Sequence, residues 1–183
     1  MAGHHPITYN LHFFCNMSRV ELYLGESNWR WTLIYYFKQH GLYTYGPPMA
    51  VAPIPNVRAV LDYAVTEMPT EKIFLGVPNY GYDWPLPFIQ GETRAQSISN
   101  QRAIELAIQY GVPIQYDETA QSPFFHYTDA GGTAHEVWFE DARSMEAKLR
   151  LVAEYGFRGA GFWNLMRPFS QTWLVLDSLY NIE

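Results

Sequence analysis

The side chains that could act chemically on a ligand fall into two sets, carboxylates and aromatic rings. General acid–base chemistry needs a carboxyl that holds its proton near neutrality, and a second carboxylate nearby helps to set that state. Glu140 and Asp141 form such a pair in sequence. Helix architecture accounts for them better, without any catalysis. Asp141 is placed to cap the helix that follows, and Glu140 beside that start suits the helix dipole. Asp117 and Glu118 read as a solvated turn. Upstream of Asp62 the only acids are Glu21 and Glu26, with no Asp near them. Ser18 and Ser27 lack the strand-turn-helix context of a nucleophilic serine. His4 and His5 have no third ligand at metal-binding spacing, and His126 and His135 are expected to face each other across a hairpin as a solvated pair. No metal, cofactor or phosphate-binding motif is expected.

The rings are more telling. In KIFLGVPNYGYDWPLPF, residues 72–88, an apolar run breaks at Pro78 and leads into Tyr80, Tyr82, Asp83, Trp84 and Phe88. That pattern predicts a buried strand delivering rings to a loop. Rings at a strand exit suit a ligand with flat faces, such as a sugar. A second short apolar run, Gly159 to Trp163, ends on an indole.

The elements that must position these groups follow from periodicity. Asn56 to Glu67 predicts a helix, with Val57, Val60, Leu61 and Ala64 at helical spacing. Lys72 to Val77 predicts a short strand buried on both faces. Ser99 is a plausible N-cap for a helix that Gly111 stops. Pro113 to Thr128 alternates weakly, and Asp129-Ala130-Gly131-Gly132 signals a hairpin turn before Glu136 to Phe139. Asp141 starts a third helix that Gly156 ends, and Trp173 to Tyr180 predicts a closing helix. Strands separated by helices imply parallel pairing and an α/β architecture, with an α+β element inserted. Leu22 to Tyr36 fits a strand or a helix.

Composition bounds the partners. The 183 residues suffice for one domain with a real core. Charged residues make up 16% and aromatics 17%, and the net charge is −6. With no Lys/Arg-rich run, nucleic acid is not an expected partner. No stretch of 18 or so apolar residues suggests a membrane span. The single Cys15 excludes an internal disulfide. The N-terminus does not read as a signal peptide, and the compartment stays open.

Four stretches in order carry a resemblance: YGPPMAVAPIPNVRAVLDYAV, KIFLGVPNYGYDWPLPF, IQYDETAQSPFFHYTDAGGTAHEVWFEDARSMEAKL and YGFRGAGFWNL. From Tyr43 to about Asp177 the chain resembles the C-terminal half of a family 18 glycoside hydrolase. The similarity is to the branch that cleaves spore-cortex peptidoglycan fragments. The resemblance implies the C-terminal part of a (β/α)8 barrel, with Lys72 to Val77 as strand seven and Gly159 to Trp163 as strand eight. It implies a small α+β insertion at about 113–140, and leaves 1–42 unassigned. Active sites of such barrels lie at the C-terminal strand ends. Trp163, Tyr80, Tyr82, Asp83 and Trp84 are therefore the candidate substrate-binding residues, for a glycan containing N-acetylglucosamine. Of Tyr80 and Tyr82, at most one is expected to face the site. Asp83 could bond a sugar hydroxyl or cap the turn before Trp84, and Trp84 could pack or stack.

The family is retaining by substrate assistance. Its acid lies in a D-x-x-D-x-D-x-E-like run at strand four, and that run is not found in this sequence. No residue is assigned a catalytic role. The family's aromatic-acidic run before the Gly-Pro-Pro loop is replaced by Phe37-Lys38-Gln39-His40. The expectation is a truncated or rearranged form, binding glycan without cleaving it or left without a selected function. Half a barrel would also leave strand flanks unpaired, which predicts self-association unless Trp29 to Phe37 covers the face. Members of the branch are spore- or wall-associated, often with N-terminal wall-binding repeats; none is visible here.

Overall fold

The computed structural model describes residues 46–163 and 166–180, and the backbone of strand β1, Thr32–Ile34. The expectations for Leu22 to Tyr36, Trp29 to Phe37 and Phe37 to His40 otherwise lie outside the described residues.

A parallel sheet of order β1-β2-β8 forms the first layer. Strand β2 is Ile73–Pro78 and β8 is Gly159–Trp163. They pair in parallel from Phe74 opposite Gly159 to Pro78 opposite Trp163. β1 runs parallel along the other edge of β2, with Thr32 opposite Ile73. Helices α1 (Ile54–Glu67), α3 (Ala142–Glu154) and α4 (Ser170–Leu179) cover one face. Period-two alternation turns Ile73, Leu75 and Val77 of β2 toward them. There they meet Leu61 of α1, Met145, Leu149 and Val152 of α3, and Leu176 of α4. The opposite face of β2, at Phe74 and Gly76, is only half-buried, so the strand is not enclosed on both sides as its apolar run suggests. Ala160 and Phe162 of β8 also pack on the helical side. Alternation therefore sends Trp163 to the other face.

The second layer is an antiparallel sheet of order β4-β3-β7-β6-β5. Its strands are β3 (Gly81–Pro85), β4 (Gln96–Ile98), β5 (Gln115–Asp117), β6 (Ser122–Thr128) and β7 (Ala134–Trp138). This sheet begins at Gly81, well before the expected 113. The stretch after Pro78, read as a loop, is strand β3. Its partner β7 lies far along the chain, so local pattern alone does not reveal it. Helix α2 (Asn100–Tyr110) packs Ala103, Leu106 and Ala107 against Phe125, Tyr127, Val137 and Phe139 on one face of the sheet.

The punctuation is legible in the side chains. Ser99 Oγ accepts from Arg102 N at 3.1 Å, and Gly111 closes α2 in the left-handed region at φ 63°. Asp141 and Ser144 form a reciprocal capping box on α3. In the β6–β7 turn, Asp129 Oδ1 accepts from Gly131 N and Thr133 N.

Gly81 permits the close approach of β3 to β7. A Cβ there would lie 2.5 Å from Trp138 O and 2.7 Å from Phe139 Cβ. Gly81→Ala is therefore expected to destabilise the fold by roughly 1–3 kcal/mol in denaturant unfolding. Gly131→Ala, in the exposed hairpin turn, should stay within about 0.5 kcal/mol. Equal effects would mean that the β3–β7 approach is not a constraint.

Candidate functional site

Trp163 stands at the C-terminal end of β8, and its carbonyl accepts from Asn79 N at 2.7 Å. The ring is half-buried against a cluster of Ala50, Val51, Tyr80, Tyr82, Trp84 and Trp138. Thus the first layer contributes one indole and the second contributes the ring bed it rests on. Tyr80, Tyr82 and Trp84 are two residues apart in extended backbone and share a face. The expectation that at most one of Tyr80 and Tyr82 faces the site misreads this alternation; the two rings meet edge to face at 5.6 Å. Tyr82 and Trp84 meet at 5.4 Å. Burial raises the Tyr82 hydroxyl above its ordinary pKa, with Tyr80 opposing. Trp84 is only 2% exposed and its Nε1 donates to Gly46 O at 2.9 Å. It packs beneath the site rather than offering a stacking face.

Two rings that sequence reading missed complete the face. Trp138 lies opposite Tyr82 on β7, and Phe124 lies opposite Trp138 on β6. Phe124 and Trp138 stack at 4.6 Å with a 17° interplanar angle. Phe124 is half-buried, as are Phe88 and Trp163 around the same cluster. The signal was the Asp-Ala-Gly-Gly turn, which sets the β6–β7 register and thereby the shared face of these rings.

Asp83 does not belong to that face. It sits mid-strand between Tyr82 and Trp84, turned toward the α2 side, and caps no turn. Its Oδ2 accepts from Tyr127 Oη at 2.7 Å, and its Oδ1 lies 2.8 Å from His135 Nδ1. His135 Nε2 is 3.5 Å from Asp129 Oδ2. Tyr127 stacks on His135 at 4.6 Å and on Tyr110 at 4.5 Å. Burial, and then the Asp83 carboxylate, push the Tyr127 hydroxyl well above its ordinary range. The hairpin pairs His126 with Glu136 and His135 with Tyr127, so the two histidines fall on opposite faces rather than opposite each other. This cluster is a buried polar brace for the second sheet.

Glu140 is also internal. It is fully buried, and its Oε2 accepts from the equally buried Lys148 Nζ at 2.8 Å. Its backbone N donates to Asn100 Oδ1 at 3.0 Å. Desolvation raises its carboxyl above the ordinary glutamate value, against the pull of Lys148. Oε1 has no hydrogen-bond partner, and with no exposed surface the carboxyl reaches no ligand. Asp117 Oδ1 accepts from Thr119 N and Ala120 N, which makes it a turn residue. Among the described residues there is no cluster of His, Cys, Asp and Glu suited to a metal ion, and no helix is long and apolar enough to cross a membrane.

Comparison with known proteins identifies the family. The model of the glycosyl hydrolases family 18 matches residues 14–167. The chain belongs to glycosyl hydrolase family 18. The match begins upstream of Tyr43, where the sequence resemblance begins. Over 140 residues the chain is 53% identical to the cortical fragment-lytic enzyme of Bacillus subtilis, covering 76% of this chain and 32% of that protein. The crystal structure of the spore cortex-lytic enzyme SleL of Bacillus megaterium matches with a TM-score of 0.73 and 54% identity, covering 76% of this chain and 33% of that one. A chitinase from Chromobacterium violaceum matches with a TM-score of 0.72 and 31% identity, covering 80% and 44% respectively. The family 18 neighbours imply a TIM-barrel-like α/β fold, and this chain spans about a third of the length of the cortex-lytic relatives.

The buried pair yields a test. Removing one partner of such a pair leaves an uncompensated charge, and Lys148→Met is expected to cost about 3–5 kcal/mol at neutral pH. Without Lys148, the Glu140 carboxyl rises further. The folded variant then holds a proton that the unfolded chain releases, so its stability is greatest in acid and falls as pH rises past the ordinary glutamate value. Glu140→Leu combined with Lys148→Met should recover most of the loss. Denaturant melts at several pH values read this out; a flat pH profile for Lys148→Met would contradict it.

Proposed function

We propose that the chain binds glycans containing N-acetylglucosamine through the face built on Trp163. The observation that carries this reading is the position of that ring. It is half-buried at the C-terminal end of a parallel strand, the end where barrel enzymes hold substrate. A pyranose can lay its C–H face on an indole without any catalytic carboxylate. Tyr80 and Tyr82 set the bed on which Trp163 rests, and the partly exposed Phe124 extends the apolar surface. Asp83 and Trp84 support this face from within rather than touching sugar.

The relatives' names supply the substrate class: cortical fragment-lytic enzyme and chitinase, proteins acting on spore cortex and on chitin. Cleavage is a separate matter. The internal acids Asp83 and Glu140 are occupied by Tyr127, His135 and Lys148. With no D-x-x-D-x-D-x-E-like run in these 183 residues, the chain is expected to bind without turnover. In a longer chain carrying such a run, the same indole would floor the subsite beside the acid.

Titration with chitotriose, followed by NMR shifts, should show millimolar affinity, about −4 kcal/mol. Trp163→Ala should abolish the response, while the exposed-turn substitution Glu118→Gln should leave it intact. Identical responses of wild type and Trp163→Ala would reduce the aromatic face to packing. No chitotriose should be consumed; hydrolysis lost in Glu21→Gln or Glu26→Gln would overturn the non-catalytic reading.

A further inference from the structure

The chain that carries Trp163 is bonded to Asn79 through both the backbone and the side chain of that residue. Asn79 follows β2 directly. Its N–H donates to Trp163 O at 2.7 Å, and its Nδ2 donates to Arg167 O at 2.6 Å. Its Oδ1 accepts from Asn100 Nδ2 at 3.2 Å. Both asparagines are buried, at 4% and 1% exposure. The backbone of Asn79 therefore holds Trp163, and its side chain holds Arg167.

Arg167 carries the grip to the second sheet. Its Nη1 donates to Ile98 O and to Ser97 Oγ, both at 2.8 Å. Its guanidinium stands 6.0 Å from the centre of the Tyr80 ring. Ile98 and Ser97 belong to β4, whose Ile98 pairs with Gly81 and whose Ser97 pairs with Tyr82. The strand bearing the ring bed and the strand bearing the indole are thus tied through one arginine. An aromatic floor works only if ring and bed keep their spacing, because a stacked sugar tolerates little displacement.

We propose that Asn79 and Arg167 are positioning residues for Trp163: the Asn79 side-chain amide holds the Arg167 backbone, the Arg167 guanidinium holds β4, and together they fix the chain that carries Trp163 against the Tyr80–Tyr82 bed. Its consequence for glycan affinity rests on the reading of Trp163 as a sugar floor; the positioning itself is a property of the free protein. Each side chain acts through its own hydrogen bonds, Asn79 on Arg167 O and Arg167 on β4, and neither needs to touch sugar. Asn79 must donate to Arg167 O and accept from Asn100 at once. An amide does both; a carboxylate can only accept.

The test uses the full chain labelled with 5-fluorotryptophan, with the Trp163 fluorine resonance assigned from Trp163→Phe. In Asn79→Asp the introduced carboxylate opposes Arg167 O at neutral pH. The Trp163 resonance is expected to move, while those of Trp84, Trp138 and Trp173 hold. In acid the new carboxyl takes a proton, can donate to Arg167 O again, and the resonance should return toward its wild-type position. Arg167→Met should move the same resonance with no acid recovery, and carries the test by itself if Asn79→Asp does not fold. Chitotriose affinity should fall about tenfold in either variant, the scale of one lost hydrogen bond. A Trp163 resonance unmoved in Arg167→Met, or all resonances moving together, would overturn the proposal. Resonance movement with no chitotriose binding even by wild type would sink the glycan reading and leave the positioning standing.

Discussion

The structure turns on a buried polar line between its two sheets. Lys148 of α3 holds Glu140, Glu140 N reaches Asn100 at the start of α2, Asn100 reaches Asn79, and Asn79 holds Trp163. Every side chain in the line from Lys148 to Asn79 is almost fully buried. Such groups cost free energy unless their partners are in place, so each fixes the next. The parallel layer has its own core around Leu75 and Leu149, and the antiparallel layer has its own around Phe125 and Val137. Apolar packing alone would let these two cores slide. The directional bonds at the seam set their register, and the aromatic site lies at that seam.

This arrangement explains why residues that look catalytic are not at the site. Glu140 and Asp141 are adjacent acids, yet one belongs to the seam and the other to a capping box. Asp83 neighbours two site-facing rings, yet strand alternation turns it toward Tyr127 and His135. The site face carries the rings together with Glu136, whose Oε1 accepts from Trp138 Nε1 at 2.7 Å and which lies opposite His126. On the proposed reading the rings hold a sugar face, and they supply no proton themselves.

The sequence was most legible where one residue decides a backbone event. Ser99, Gly111, Asp141 and the Asp129 turn announce element ends through their own side chains or lack of one. The runs Lys72 to Val77 and Gly159 to Trp163 read as strands because each is short, apolar and bounded, and the strands found there do pair in parallel. The family was legible too, since long stretches in order are specific. What was hidden depends on distant partners. Gly81–Pro85 is a strand only because β7 arrives beside it. Asp83 and His135 meet only because that pairing brings their strands together, and Phe124 joins the site face only through the β6–β7 register. Alternation itself, applied to Tyr80 and Tyr82, would have placed both rings on one side.

The central proposal is that the ring face built on Trp163 recognises a sugar face. Saturation-transfer difference NMR on the intact chain with chitotriose tests this most directly. The account predicts saturation concentrated on the axial C–H protons of one pyranose, with no growth of new reducing-end signals during the measurement. Saturation spread evenly over all rings, or none at all, would contradict a Trp163 platform; steady growth of reducing ends would contradict binding without cleavage.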